Sequence, residues 1–173
     1  VNAVCAQALN TAFARDYASR IWRVATSMNT SDQLEEGSSY YLEEVERIKT
    51  LLDFSEDTAT PYLITIDEVF RGTNTVERVS SAKAVLDYLT KGDCLVLVST
   101  HDLELANLLT DHYSLYYFQE AVVGQALSFD YKLKPGIMTE RNAIKILALA
   151  GYPEEVVAEA ERLAEGFGKP GPG

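Results

Sequence analysis

Two adjacent carboxylates, Asp67 and Glu68, follow the mainly apolar run Tyr62–Ile66. An apolar run of this length, bounded by turn residues, predicts a strand that is buried on both faces. In open α/β sheets, ligands bind beyond the carboxyl ends of such strands. One carboxylate there can hold Mg²⁺ and the next can orient an attacking water, which suits phosphate chemistry on a magnesium nucleotide. An acidic pair at this place is also common as a solvated strand end.

A histidine, His101, follows a second short apolar run, Cys94–Val98, and its polar end. A single histidine is more often a packing or surface residue than a catalytic one. If the two runs are parallel strands of one sheet, however, Glu68 and His101 lie on the same rim. An imidazole at that rim could donate a hydrogen bond to a terminal phosphate.

The segment between the two runs predicts the helix that makes them parallel. Apolar residues recur at helical spacing over Thr75–Leu89, and Asn74 followed by Glu77 resembles a capping box. Strand, helix and strand of these lengths form a right-handed βαβ unit. The sequence therefore predicts that the acidic pair and the histidine meet at one edge.

Further elements follow from the hydrophobic pattern and the turn residues. We expect a strand at Ile21–Ser27, helices at Tyr40–Leu52, Leu103–Leu109 and Thr139–Ala150, and a hairpin of Tyr113–Val123 with Ala126–Leu133 around Gly124-Gln125. Pro135-Gly136 is expected to end the sheet, and Gly151 to end the helix before it. The apolar stripe of the Tyr40–Leu52 helix is expected to comprise Tyr41, Leu42, Val45, Ile48, Leu51 and Leu52.

Several stretches, in the same order along the chain, resemble motifs of the MutS proteins, the mismatch-repair ATPases. The acidic pair and its following loop, Ile66–Thr75, resemble their Walker B motif, and Ser99–Asp102 is similar to their switch histidine segment. Three further stretches resemble the family's signature loop (Thr30–Tyr41), its C-terminal β-segment (Leu127–Gly136) and its terminal helix (Pro153–Ala164).

The resemblance implies an α/β fold of the P-loop NTPase class, as in ABC-type ATPases. We expect a mostly parallel sheet flanked by helices, followed by a C-terminal antiparallel hairpin and a helical pair. The implied division is an ATPase core at 1–138, the helical pair at 139–165 and a tail at 166–173. The Glu140–Ala143 stretch departs from the family's usual pattern, which weakens the implied dimer role of the helical pair.

The same resemblance implies roles for the rim residues. Asp67 would hold Mg²⁺, Glu68 would activate water, and His101 would sense the terminal phosphate of ATP. The intact protein would then hydrolyse ATP as a homodimer with composite sites. Hydrolysis would be coupled to the binding and repair of mismatched DNA.

Two loops are implied to contact nucleotide across the dimer. Gly37, Ser38 and Ser39 would reach the ATP of the partner subunit, because a helix that begins near Ser39 offers free N–H groups to an anion. Thr73 and Asn74 would contact nucleotide from the interface loop. Spacing alone favours an ordinary helix N-cap for Gly37–Ser39.

The chain lacks the family's glycine-rich phosphate-binding loop, the Walker A motif. No G-x-x-x-x-G-K-[ST] occurs, and the Gly-Lys within Gly166–Pro170 follows no strand. Val1–Leu9 instead resembles the later part of the helix after that loop. We therefore expect a fold that is incomplete at its N-terminus, with unpaired strand edges that favour self-association.

Charge and composition limit the partners. A net charge of −11 argues against this segment gripping DNA, so DNA would be bound by upstream domains. The acidic stretches Asp32–Glu46 and Glu154–Glu165 are expected to be solvated helix faces. No apolar run is long enough for a membrane span. Cys5 and Cys94 are expected to be buried thiols in a protein of the cytoplasm.

Two other functions are compatible with the residues. One is a different ABC-type ATPase, of transport or chromosome maintenance, although the Leu-Ser-Gly-Gly-Gln signature usual there is absent. The other is a non-catalytic dimerisation or regulatory module. Retention of Glu68 and His101 argues against long-standing loss of catalysis.

We predict that this chain alone binds Mg-ATP very weakly and does not hydrolyse it. About four charged hydrogen bonds from the missing loop, at roughly 1.5–3 kcal/mol each, amount to about 6–12 kcal/mol gross. A micromolar site corresponds to only about 8 kcal/mol. Isothermal titration calorimetry checks this, and a micromolar Kd would show that the loop is dispensable for binding.

Overall fold

The computed structural model describes residues 1–28, 40–57, 59–123, 126–138 and 142–167. The chain is a mixed α/β protein that divides into two compact units, Val1–Tyr113 and Ser114–Gly173. The division of the chain at residue 138 stays a prediction. No helix within the described residues combines the length and apolar character needed to cross a bilayer.

The described residues of the first unit build a three-stranded parallel sheet of β1 (Arg23–Ser27), β2 (Tyr62–Asp67) and β3 (Cys94–Ser99), in that order. A helix connects β2 to β3, so the predicted βαβ unit is present. The bounds are α1 Asn2–Leu9, β1 Arg23–Ser27, α2 Tyr40–Ser55, β2 Tyr62–Asp67, α3 Thr75–Leu89, β3 Cys94–Ser99 and α4 Leu103–Leu108.

The core lies between one face of this sheet and the helices. Apolar side chains of β2 alternate with less buried ones, and the inward side chains meet the apolar stripes of α2, α3 and α4. Burial of apolar surface at about 25 cal/mol per Å² makes this the main stabilising contact of the unit. The most buried members are Ile48, Leu51, Ile64, Ile66, Val69, Ala82, Leu86, Leu89 and Leu105.

The opposite face of the sheet is not covered in the same way, so the prediction that β2 is buried on both faces is wrong. Leu95 and Leu97 are 46% and 53% exposed, and β2 alternates between buried and half-buried positions. An apolar cleft of about 350 Å³ lies between α1 and this face. Cys5 and Cys94 are free thiols and only half-buried, so the prediction of fully buried thiols is also wrong.

The start of α3 confirms the predicted capping box. The side-chain oxygen of Asn74 accepts a hydrogen bond from the Glu77 backbone N–H at 3.1 Å. The Glu77 carboxylate accepts in return from the Asn74 amide at 2.6 Å and from the Thr73 hydroxyl at 2.7 Å. The bond from the Glu77 N–H satisfies a backbone donor that the first turn of a helix leaves free. The return bonds of the Glu77 carboxylate go to the side chains of Asn74 and Thr73, where a full capping box would use the N-cap backbone N–H.

The buried stripe of α2 differs from the predicted one. Leu42 is 50% exposed, whereas Glu44 is only 6% exposed. Glu44 lies one helical turn before Ile48 and therefore occupies a position of the inward stripe. The expectation that this acidic stretch is a solvated face is wrong at Glu44.

In the second unit, the described residues form two short antiparallel strand pairs and two helices. The predicted hairpin is confirmed for β5 with β6, on either side of residues 124–125, which lie outside the described residues. Residues 116–117 of its predicted first strand instead form β4 and pair with β7. Pro135 is the last residue of β7, which pairs with β4, and no strand follows it among the described residues, so Pro135-Gly136 ends the sheet as predicted. The bounds are β4 Tyr116–Tyr117, β5 Glu120–Val123, β6 Ala126–Phe129, β7 Lys134–Pro135, α5 Ala143–Leu149 and α6 Glu154–Phe167.

Gly151 ends α5 as predicted. Its φ of +82° is a left-handed conformation that favours glycine, and its N–H donates to the Ala148 carbonyl at 3.1 Å. The predicted start of this helix, residues 139–141, lies outside the described part of the chain.

We predict that Leu86→Ala lowers the free energy of unfolding by about 2–5 kcal/mol, because it leaves a cavity in a fully buried position. Val76→Ala in the same helix is the matched control. Val76 is 76% exposed, so its truncation should cost less than about 0.5 kcal/mol. Urea denaturation followed by circular dichroism measures both, and equal costs would contradict the assigned inward face of α3.

Candidate functional site

The pairing of β2 with β3 brings the acidic pair and the histidine to one rim. Asp67 lies opposite Ser99 in the register, and the Glu68 backbone N–H donates to the Ser99 carbonyl at 2.9 Å. Beyond these strand ends, the Glu68 carboxylate and the His101 imidazole form a hydrogen bond through Oε1 and Nδ1. The predicted meeting of these two side chains is confirmed.

This contact determines which imidazole nitrogen is free. An ionised carboxylate only accepts hydrogen bonds, so beside an ionised Glu68 the Nδ1 atom of His101 carries the proton that it donates. The other ring nitrogen, Nε2, is then an acceptor in neutral imidazole and becomes a donor only in the imidazolium. The His101 side chain is 71% exposed, whereas that of Glu68 is 19% exposed.

The backbone after β2 turns through two left-handed residues. Glu68 and Phe70 have φ of +59° and +60°, which is unusual for residues other than glycine. Phe70 is 6% exposed and meets the Tyr41 ring edge-on at 6.1 Å, and Val69 is also buried. Burial of these side chains holds the strained turn, which directs the Glu68 carboxylate to the rim.

Gly72 allows this turn to pack against α2. A Cβ atom at Gly72 would lie 2.8 Å from Tyr41 Cβ, which is closer than such carbons approach. A larger residue there would push the loop away from the helix, so the close approach requires glycine.

An arginine contacts both carboxylates. Arg71 Nε donates to Glu68 Oε2 at 2.7 Å, and Arg71 Nη2 donates to Asp67 Oδ2 at 3.4 Å. Together with the His101 contact, this places a partner on both oxygens of Glu68. The guanidinium therefore stands where a cation bound to the acidic pair would place its charge.

The oxygen atoms around Asp67 fit a hard cation. Its carboxylate is 48% exposed, and Oδ1 accepts a hydrogen bond from the Ser99 hydroxyl at 2.6 Å. Within the described residues, no group of three or more His, Cys, Asp or Glu side chains is arranged as a metal site. Mg²⁺ needs only one or two carboxylates, because it keeps several of its waters.

Asp67, Glu68 and Arg71 line a small pocket at this rim. Glu44 of α2 is a further carboxylate in the lining of that pocket. The Oε2 atom of Glu44 is buried and has no hydrogen-bond partner among the described residues. A buried carboxylate oxygen without a partner is costly, so this atom is an acceptor available to a water or a cation.

The contact between Glu68 and His101 does not include Thr73 and Asn74, the two residues predicted to contact nucleotide from the interface loop. Asn74 caps α3 through its bond with the Glu77 backbone N–H, and the Thr73 hydroxyl donates to the Glu77 carboxylate. Gly37, Ser38 and Ser39 lie outside the described residues. The roles predicted for all five in nucleotide binding stay predictions.

Sequence reasoning did not assign Arg71, Ser99 or Glu44 to the site. Arg71 follows Asp67 and Glu68 by four and three residues, a spacing that permits contact when the chain turns, but only the turn itself shows it. Glu44 could have been found from its place on the inward stripe of α2, where an apolar residue is expected.

Comparison with known proteins gives a consistent set of relatives. A family model described as MutS domain V matches residues 14–167. The chain is 31% identical over 148 residues to the DNA mismatch repair protein MutS of Natronomonas pharaonis, covering 84% of this chain and 17% of that protein. It is 32% identical over 146 residues to the protein of the same name from Thermotoga maritima, covering 83% and 18%.

A human protein is similar over the same region. MutS protein homolog 4 of Homo sapiens is 29% identical over 150 residues, covering 82% of this chain and 16% of that protein. The chain spans about a sixth of the length of these relatives.

We predict that Arg71→Gln strengthens binding of Mn²⁺, used as a probe for Mg²⁺, by about 5- to 10-fold. The reason is that removing a competing cation from a partly exposed carboxylate is worth about 1 kcal/mol. Electron paramagnetic resonance of free Mn²⁺ measures the affinity. Arg20→Gln, which removes an exposed pair with Asp93, is the control and should change nothing.

Asp67→Asn should weaken Mn²⁺ binding in the same assay, because it removes the anionic ligand. If Asp67→Asn has no effect, or Arg71→Gln behaves like the control, the cation does not bind at this rim.

Proposed function

The chain belongs to the MutS family, and from this membership and the geometry of the rim we propose that it is the ATPase part of a MutS-type protein. The intact protein would hydrolyse ATP as a homodimer and couple hydrolysis to the binding and repair of mismatched DNA. The observation that carries the proposal is the contact of Glu68 with His101 at the carboxyl ends of adjacent parallel strands. Ligands of open α/β sheets bind at this edge.

In this proposal Glu68 is the group that accepts the proton of the attacking water. Its low exposure keeps the carboxylate out of bulk solvent, and the turn after β2 holds it at the rim. Both of its oxygens have a protein partner, and each keeps a second lone pair that can accept a hydrogen bond from the water. Mg²⁺ at the acidic pair would replace Arg71.

His101 would face the terminal phosphate with its free ring nitrogen. Because Nδ1 is turned to Glu68, a hydrogen bond to phosphate oxygen comes from Nε2 and requires the imidazolium. An imidazolium at this place would stabilise the charge that develops on the phosphate.

Asp67, with the Ser99 hydroxyl beside it, would hold Mg²⁺ directly or through water. The ion, when bound, neutralises charge on the phosphates of ATP. Glu44 would accept a hydrogen bond from a water of the same pocket, since its Oε2 atom has no other partner among the described residues.

The proposal includes a P-loop NTPase fold of the ABC type, in which β2 carries the Walker B acids and β3 leads to the switch histidine. Thr73 and Asn74 would contact nucleotide at the dimer interface, and Gly37, Ser38 and Ser39 would do so across it. The net charge of −11 supports contact with DNA through other domains of a longer protein, and the cytoplasm is the proposed location.

We predict that Glu68→Gln lowers kcat for ATP hydrolysis about 100- to 10,000-fold in the longer protein that carries this segment, because it removes a general base. Binding of Mg-ATP should change little, since the glutamine keeps the shape of the side chain. Steady-state phosphate release and equilibrium nucleotide binding are the two measurements.

Glu161→Gln is the matched control for this substitution, because Glu161 is an exposed residue of α6 in the second unit. It should leave kcat unchanged. If Glu68→Gln also leaves kcat unchanged, the segment is a non-catalytic scaffold and the proposed function is wrong.

A further inference from the structure

His101 lies in the short segment between β3 and α4, and its side chain makes few contacts that would fix its position. The imidazole is 71% exposed, so packing does not fix its position, and Glu68 is its hydrogen-bond partner. Short exposed segments between a strand and a helix lose this kind of order unless their backbone is tied down. The position of His101 therefore depends on the residues on either side of it.

Asp102, the next residue, is bound to the first turn of α3. Its Oδ2 atom accepts from Arg78 Nε at 2.9 Å, and its Oδ1 atom accepts from Arg78 Nη2 at 2.9 Å. The side chains of Arg78 and Asp102 are only 18% and 14% exposed. A bidentate pair with this burial fixes both the distance and the orientation of its partners.

The carboxylate of Asp102 binds Arg78 and does not cap the helix that follows it. Asp102 is the N-cap residue of α4, a position where aspartate normally accepts from the helix N–H groups, yet its side chain makes no such bond. The backbone N–H of Asp102 instead donates to the Thr100 hydroxyl at 3.1 Å. The bond between Thr100 and Asp102 closes a tight turn with His101 at its centre. The pair with Arg78 ties this turn to α3.

Arg78 is itself well anchored. Its backbone N–H donates to the Asn74 carbonyl at 2.9 Å, within the turn that the Asn74–Glu77 cap holds. The pKa of Arg78 is raised mainly by its hydrogen bonds to Asp102, and the nearby charge of Glu68 acts in the same direction. The pair thus connects the helix that follows the acidic loop to the turn that carries the histidine.

We propose that Arg78 is a positioning residue for His101, acting through its bidentate pair with Asp102. The pair holds the Thr100–Asp102 turn so that the imidazole stays at the Glu68 carboxylate. This inference rests on the proposed function, in which His101 faces the terminal phosphate. Lysine cannot replace arginine here, because an ammonium group cannot form the two parallel bonds.

The test is nuclear magnetic resonance of the full 173-residue chain without ATP. The nuclear Overhauser cross-peak between His101 Hε1 and Glu68 Hγ reports the contact, and the ring signals of His112 are the internal reference. Arg78→Gln should reduce the cross-peak by about half or more, and Arg78→Lys should give an intermediate loss. Lys83→Gln, which removes the Lys83–Asp87 ion pair of the same helix, should leave it unchanged.

Asp102→Asn provides a second variant that alters the pair from the other side with almost no change of shape. It should reduce the same cross-peak, and it carries the test if Arg78→Gln does not fold. An unchanged cross-peak in whichever of these variants folds overturns the proposal. So does an equal loss in Lys83→Gln, which would indicate general loosening of α3.

Activity of the longer protein separates this inference from the proposed function. Arg78→Gln should lower kcat about 10- to 100-fold while the KM for ATP stays within about twofold, as expected for a misplaced reacting group. If Glu68→Gln abolishes turnover but Arg78→Gln alters neither kcat nor the cross-peak, only the positioning role is wrong. If Glu68→Gln leaves turnover intact, the proposed function is wrong, whatever the cross-peak shows.

Discussion

The parallel pairing of β2 with β3 is the constraint on which the site depends. Parallel strands end at the same edge, so the polar residues that follow two apolar runs must meet there. The pairing continues one residue beyond β2, because the Glu68 N–H donates to the Ser99 carbonyl. The helix α3, with its fully buried Leu86 and Leu89, holds the two strands in this relation.

At the rim, neighbouring side chains offset the negative charge of Asp67 and Glu68 and hold the strained backbone at Glu68. Asp67 and Glu68 are adjacent anions, and Arg71 and His101 contact them from two sides. The left-handed Glu68 persists because the buried side chains after it hold the turn. In the proposed function, Arg71 is the partner that a metal ion would displace from these carboxylates.

Local signals in the sequence were sufficient for the framework of the site. The apolar runs, the helical spacing of α3 and the Asn74 cap are local signals, and together they predicted the βαβ unit and the placement of Glu68 and His101 on one rim. Their direct contact was not predicted. The left-handed Phe70 could not be predicted, because no local signal favours that backbone for phenylalanine and only its burial against Tyr41 explains it. The exposed face of β3 was missed for a similar reason, since an apolar run does not show what covers it.

A crystal structure of the longer protein with Mg²⁺ and a non-hydrolysable ATP analogue tests the central claim most directly. The account predicts the metal at Asp67, directly at about 2.0–2.1 Å or through one of its waters. It also predicts Arg71 withdrawn from the acidic pair and His101 Nε2 within about 3 Å of a terminal phosphate oxygen. A nucleotide bound away from this rim, with Arg71 still on both carboxylates, would contradict it.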